Sequence, residues 1–275
     1  MLGITRIVAF NVCTYFLCGS AVNMGSIIHV FIRLLLLVIP TSPLMAASNT
    51  AFIHEIPDFT QSRITGRQYG HGSELCAPVA VSNSLVWLAN IRGGQAELAK
   101  LLASSRYMNT DVWRGTRTTD ILTGVDAIAM DLFGGYTGLE YQGWKKHPVQ
   151  YSTGVEVPDI HWITAGVEKD SAVWLNVGWY RYDRRKNSYH RVGGHWVTLA
   201  GYDANILIIH DPAHRAGYNF ANEYVHTSRI ENGTMSDRPT GLYRPARGFL
   251  LLGEGMHIKS IADVAIVDGA IKFRK

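Results

Sequence analysis

Cysteine is scarce: three in 275 residues, too few to staple a disulfide framework. Charge is scarce as well. Only 17% of residues are Asp, Glu, Lys or Arg against 47% hydrophobic, and so much apolar surface with so little charge excludes a disordered chain. A basic excess is missing too. Arg6 and Arg33 are the only Lys or Arg among residues 1–47, which carry no acid, so 24 basic residues remain against 22 acidic ones. A near-neutral mixture is no electrostatic footprint for nucleic acid, and none is expected as a partner. Internal repeats, low-complexity tracts and, after residue 60, any domain linker are also lacking, so residues 48–275 are expected to form one domain.

What the first 47 residues do have is a long apolar stretch. It runs from Ile7 to Pro40, finishes in Leu34-Leu35-Leu36-Leu37-Val38-Ile39, and is followed by Pro43-Leu44-Met45-Ala46-Ala47. An apolar run behind Arg33 that closes on small residues predicts a secretory signal over 1–47, cleaved near Ala46 or Ala47. Met24 to Ala47 has ordinary signal length by itself, which makes Met24 a candidate initiator. Tyr15-Phe16-Leu17-Cys18 lacks the small residue that lipid-attachment signals place before the Cys. The expected location is secreted or periplasmic. The second choice is an uncleaved membrane anchor, since residues 27–45 are long enough to span, and that segment is the only membrane contact expected. Cleavage removes Cys13 and Cys18 and leaves Cys76 as the single thiol, either buried and inert or kept for its reactivity.

The spacing of apolar residues divides the remainder into two halves. Helices are predicted from Cys76 onward, with Val81, Leu85 and Leu88 at helical spacing and Pro78 in the first turn, over Gln95 to Ala103, and over Asp120 to Leu132. Strands are predicted over Ala172–Tyr180, His195–Gly201, Ile206–Asp211 and Gly248–Gly253. A final hairpin is expected in which Val264-Ala265-Ile266-Val267 faces Ala270-Ile271-Lys272-Phe273 across Asp268-Gly269. Helices followed by an antiparallel sheet make an α+β domain of two lobes.

The chemistry gathers around Cys76. A thiol at the start of an apolar helix sits at the positive end of the helix dipole, which favours the thiolate. A nucleophilic Cys needs a base, and His195 begins a strand directly behind Gly193-Gly194, where the backbone lets a substrate approach. With a three-residue loop, Tyr202 to Ala204, Leu199 faces Leu207, Val197 faces Ile209 and His195 faces Asp211, close enough for the carboxylate to orient the imidazole. An oxyanion donor is sought upstream: Gln68, ahead of the flexible Tyr69-Gly70-His71-Gly72-Ser73, with Gln61 as second choice. Trp179, Tyr180 and Trp196 are either subsite or core residues.

Gln68-Tyr69, Leu75-Cys76-Ala77-Pro78-Val79-Ala80, Gly193-Gly194-His195-Trp196-Val197, Gly201-Tyr202-Asp203 and Asp211-Pro212 together resemble the papain-like cysteine peptidases related to the bacteriocin leader peptidases, which share a Gln, a Cys-x-Pro helix start, a Gly-His strand, a Gly-Tyr-Asp turn and an Asp-Pro. The resemblance runs from Gln68 to Pro212. It implies a papain-like fold with an N-terminal helical lobe packed on a C-terminal antiparallel sheet, a peptide or protein substrate, no cofactor, and Cys76 as nucleophile, His195 as general base and acid, Asp211 as orienting residue and Gln68 as oxyanion donor. Two rivals stand beside it. One is a catalytically silent binding module on the same fold. The other is a zinc site drawn from His190, His195, His210, Asp211 and His214, although their spacings match no helical His pair.

Overall fold

A computed structural model describes residues 50–64, 74–216, 223–237 and 240–275; the expected signal and Gln68 lie outside them. The expected helices are α1 (Cys76–Leu88), α2 (Gln95–Ala103) and α3 (Thr118–Phe133), joined by a short α4 (Ile160–Thr164). Two strands interrupt this half, β1 (Thr50–Phe52) and β2 (Gly138–Gly143). The second half is all strand: β3 (Ser171–Asp183), β4 (Ser188–Asp203), β5 (Ile206–His210), β6 (Glu223–Arg229), β7 (Thr234–Asp237), β8 (Leu242–Pro245), β9 (Leu250–Leu252) and β10 (Val264–Arg274). The architecture is α+β and papain-like, helices against a mostly antiparallel sheet in which β4 and β7 pair in parallel.

The sheet closes on itself. β3 pairs with β4, β4 with β5, β5 with β6, β6 with β9, β9 with β10 and β10 with β3, an antiparallel ring of six strands. Alternate side chains share a face of a strand, and one face of every strand feeds a single buried cluster: Val173, Leu175 and Val177 from β3, Val197 and Leu199 from β4, Leu207 and Ile209 from β5, Val225 from β6, Leu250 and Leu252 from β9, and Ala265, Val267 and Ala270 from β10. That cluster fills the ring. The opposite face supplies Trp174, Trp196, Ile271 and Phe273 to a second cluster shared with α1, α2 and α3. Helix α1 is buried at every position except Trp87, as expected of a helix apolar all round.

Two bulges change the expected pairing. In β10 the Asp268-Gly269 turn does not form. The strand runs on, with Asp268 inserted as an extra residue between Val267 and Gly269. A bulge reverses the in-out alternation, which is why Ala270 joins Ala265 and Val267 on the inner face and why the two half-strands look like separate strands in sequence. The carboxylate that a turn would have left in water is fully buried. It accepts hydrogen bonds from Arg191 Nε (2.6 Å), Trp144 Nε1 (2.9 Å) and Tyr180 Oη, and those partners stabilise the bulge over the turn. Glycine at 269 is required by Tyr141, whose hydroxyl would lie 2.3 Å from an added Cβ.

The second bulge lies in β4. The β4–β5 loop is two residues long rather than three, with Asp203 opposite Ile206 and Ala204 at φ 52°. The register then shifts between Leu199 and Gly201, so that Leu199 faces Ile209 and Thr198 faces His210. The expected partner of Leu199 was Leu207. Beyond the bulge the displacement is two residues, and an even shift leaves the side chains from His195 to Leu199 on their expected face.

Candidate active site

Helix α1 places the thiol. Cys76 is its first residue, free and 9% exposed. The N-cap position, Leu75, contributes no side-chain cap. The first-turn N–H groups of Cys76 and Ala77 have no partner within the helix, and Pro78 has none to offer, so the positive end of the helix dipole is directed at the sulfur. A buried polar tie sets the helix on β4. Thr198 Oγ1 donates to Ala80 O (2.7 Å), one turn beyond Cys76, and Asn83 Nδ2 donates to Thr198 Oγ1 (3.4 Å). Thr198 is three residues beyond His195, so this tie fixes the thiol relative to the imidazole.

His195 and Asp211 meet despite the changed register. His195 Nε2 lies 2.5 Å from Asp211 Oδ1, with the two residues 5% and 4% exposed. In the observed register Asp211 is diagonal to His195 rather than opposite, on the shared inner face and just past the end of β5. Asp211 Oδ1 also accepts the Ala213 N–H (2.8 Å), and Pro212 O accepts the Gln61 N–H (2.8 Å) and the Thr60 hydroxyl (3.1 Å). The other face of the imidazole is covered by Trp179, whose ring stacks at 5.7 Å and 24°. Burial alone would lower the His195 pKa, but the charge and hydrogen bond of Asp211, and then the hydrogen bond with Cys76, overcome it and push it up to about 9. With Nε2 engaged by Asp211, Nδ1 is left for the thiol.

The two glycines before His195 serve packing as well as access. A Cβ on Gly194 would meet the Arg191 guanidinium at 2.3 Å, and one on Gly193 would lie 3.3 Å from Trp179. Access comes from the sheet edge: β7 leaves β4 at Arg191 and β5 joins it at Thr198. Among the described residues, 193–197 have a ladder partner only on the β3 side, Val192 being skipped by a register shift, and Gly194 is exposed.

Of the other expected residues, Gln68 falls outside the described segments. Gln61 is buried in a single 3-10 turn, Gln61–Arg63; its N–H bonds Pro212 O, and the neighbouring Ile64 packs on Leu75 and Val79 at the start of α1. Trp179, Tyr180 and Trp196 are all buried core residues. The His cluster does not converge: His190 lies between Ser188 and Ser236 and His210 faces Pro57 O. Among the described residues no group of three His, Cys, Asp or Glu is arranged to hold a metal ion. Two acids close to Asp211 had no signal in the sequence. Asp58 precedes the tethered Phe59–Gln61 stretch, and Glu223 opens β6, twelve residues beyond Asp211.

A model of the Peptidase C39 like family matches residues 53–231, well over half of the chain. The chain belongs to the C39-like peptidase family. The match takes in Cys76, His195 and Asp211, and the family implies peptidase activity of the cysteine type on peptide or protein substrates. Among solved structures, this C39-like peptidase is similar to a Bacillus anthracis protein described as a C39-like peptidase, with 12% identity over 82% of this chain and 98% of that one and a TM-score of 0.40. No curated protein matches the sequence.

Proposed function

We propose that this C39-like peptidase hydrolyses peptide or amide bonds through a Cys76–His195–Asp211 triad and an acyl-thioester. The observation that carries the proposal is the buried 2.5 Å contact between His195 and Asp211, with Cys76 near enough to the same imidazole to help raise its pKa. His195 holds the Cys76 proton as an imidazolium. The thiolate attacks the scissile carbonyl, and the tetrahedral oxyanion is met by the Cys76 N–H and a Gln side chain. His195 Nδ1 gives its proton to the leaving amine and the thioester forms. Water then loses a proton to His195, attacks the thioester and releases the acid, restoring the thiolate. Asp211 keeps the ring in place throughout. The open edge at residues 193–197 offers backbone groups to an extended substrate. Export follows from the expected signal, with cleavage near Ala46 or Ala47; N-terminal sequencing of protein recovered outside the cell checks it.

The test is alkylation of the purified full chain with iodoacetamide across pH. Labelling of Cys76 well below pH 8, slowed in His195→Ala, is expected. Labelling only after denaturation overturns the proposal and leaves the silent binding module. Gln61 and Gln68 are told apart by turnover: the Ala variant of the oxyanion donor loses about 10²–10³ in kcat, the other little.

A further inference from the structure

Asp211 is the end of β5 in function but not in pairing. The β5–β6 ladder stops at Ile209 opposite Glu223, and one step further on the Asp211 N–H donates not to a backbone carbonyl but to Glu223 Oε2, at 3.2 Å. Glu223 is 7% exposed. It faces Ile209 on the strand face that carries Val225 into the barrel interior, the face that also carries His195 and Asp211. Among the described residues the charged groups acting on it are Asp211 from the end of β5, and Asp58 from the segment that Pro57 O and the Gln61 N–H fasten to His210 and Pro212.

We infer that Glu223 is a positioning residue which works as a neutral carboxylic acid, holding the Asp211 backbone so that the Asp211 carboxylate meets the His195 imidazole. The inference rests on the triad reading above. An ionised Glu223 would set a second negative charge beside Asp211, buried and with no cation paired to it among the described residues. Its environment prevents this: burial first, then the charges of Asp58 and Asp211, push its pKa up to about 9. Burial and Asp211 push Asp58 up to about 7. Around neutrality the imidazolium is thus matched chiefly by one carboxylate, Asp211. The neutral acid gives Asp211 an acceptor without competing for the proton of His195.

The experiment is the Cys76 alkylation profile, pH 5 to 10.5, for wild type, Glu223→Gln and Glu223→Ala, with Asp211→Asn as reference and thermal melts as the check on folding. Gln keeps an oxygen for the Asp211 N–H and is neutral, so the wild-type rate at pH 7 is expected. Above about pH 9 the Gln variant departs from wild type, because it cannot gain the negative charge that sustains the imidazolium there, and its reactivity is expected to lose the ion-pair character at lower pH. Ala removes the acceptor and is expected to lower the pH 7 rate about tenfold, towards Asp211→Asn. If Gln is as damaging as Ala at pH 7, the neutral-acid role is wrong. If Ala matches wild type, the positioning role is wrong although the triad stands; if Gln matches wild type at every pH, the protonated acid that ionises near pH 9 is wrong. A wild-type Cys76 that reacts no faster than an ordinary thiol, unaffected by His195→Ala, instead brings down the triad reading.

Discussion

Asp211 and Asp268 are both buried aspartates that lie beside β4, and they do opposite work. Asp211 faces an imidazole with a pKa pushed up to about 9. Asp268 faces the guanidinium of Arg191, with Tyr180 and Trp144 completing its shell. A guanidinium does not release its proton, so the Asp268 group can only hold strands together. An imidazole can exchange its proton, so the same kind of pair at Asp211 can do chemistry. The two are adjacent: Arg191 crosses beneath Gly194, the residue before His195, and Gly178 opposite makes room for Asp268. A rigid ion pair thus supports the strand that presents a titratable one.

This contrast is open to attack. The largest effect is expected from His195→Ala, which should lower turnover by about three orders of magnitude or more while melting temperature changes modestly; a variant with near-normal turnover would mean the imidazole is structural, like Arg191. Next comes Asp268→Ala, which strands a buried cation and should cost about 3–5 kcal/mol, read by chemical denaturation. The Cys76 alkylation profile of whatever remains folded should match that of the wild type. Arg191→Met combined with Asp268→Leu should recover much of the loss, since the apolar pair leaves no charge behind.

The pH dependence separates the two pairs further. The His195 pKa is raised from 6.5 to about 9, so the stability it contributes is fully present below pH 6.5 and is lost as pH rises through 9. Glu223, raised from 4.5 to about 9, acts with the same sign, because the folded state holds its proton over a range where the unfolded state does not. Melting temperature should therefore fall between pH 6.5 and 9.5, less so in Asp211→Asn; an unchanged slope in that variant would contradict the His195–Asp211 assignment. The smallest effect is expected from Gly269→Ala, which drives a methyl into Tyr141 for about 1–3 kcal/mol, visible as a melting shift with Cys76 reactivity intact.

Much of the site was legible before the fold. Cys76 is marked by its place ahead of an apolar helix, and by being the single thiol outside the expected leader. His195 and Asp211 are marked by alternation along two short strands. Their meeting survived a wrong loop length because the true register differs by two residues, and face depends only on odd or even. Asp268-Gly269 is where the same local logic failed. That pair favours a turn in isolation, but Arg191, Trp144 and Tyr180 arrive from 77, 124 and 88 residues away and stabilise a bulge that no window of β10 contains.

By itself, then, the sequence determined the helical start, the strand-rich second half and the faces on which Cys76, His195 and Asp211 lie, since these follow from periodicity, helix polarity and the pleat. Only the tertiary structure decided that the sheet closes into a barrel and that Asp268 is buried. It alone brought Gln61, Asp58 and Glu223 to the back of Asp211. Those outcomes depend on which distant groups satisfy a buried charge, and burial is a property of the whole fold rather than of any segment.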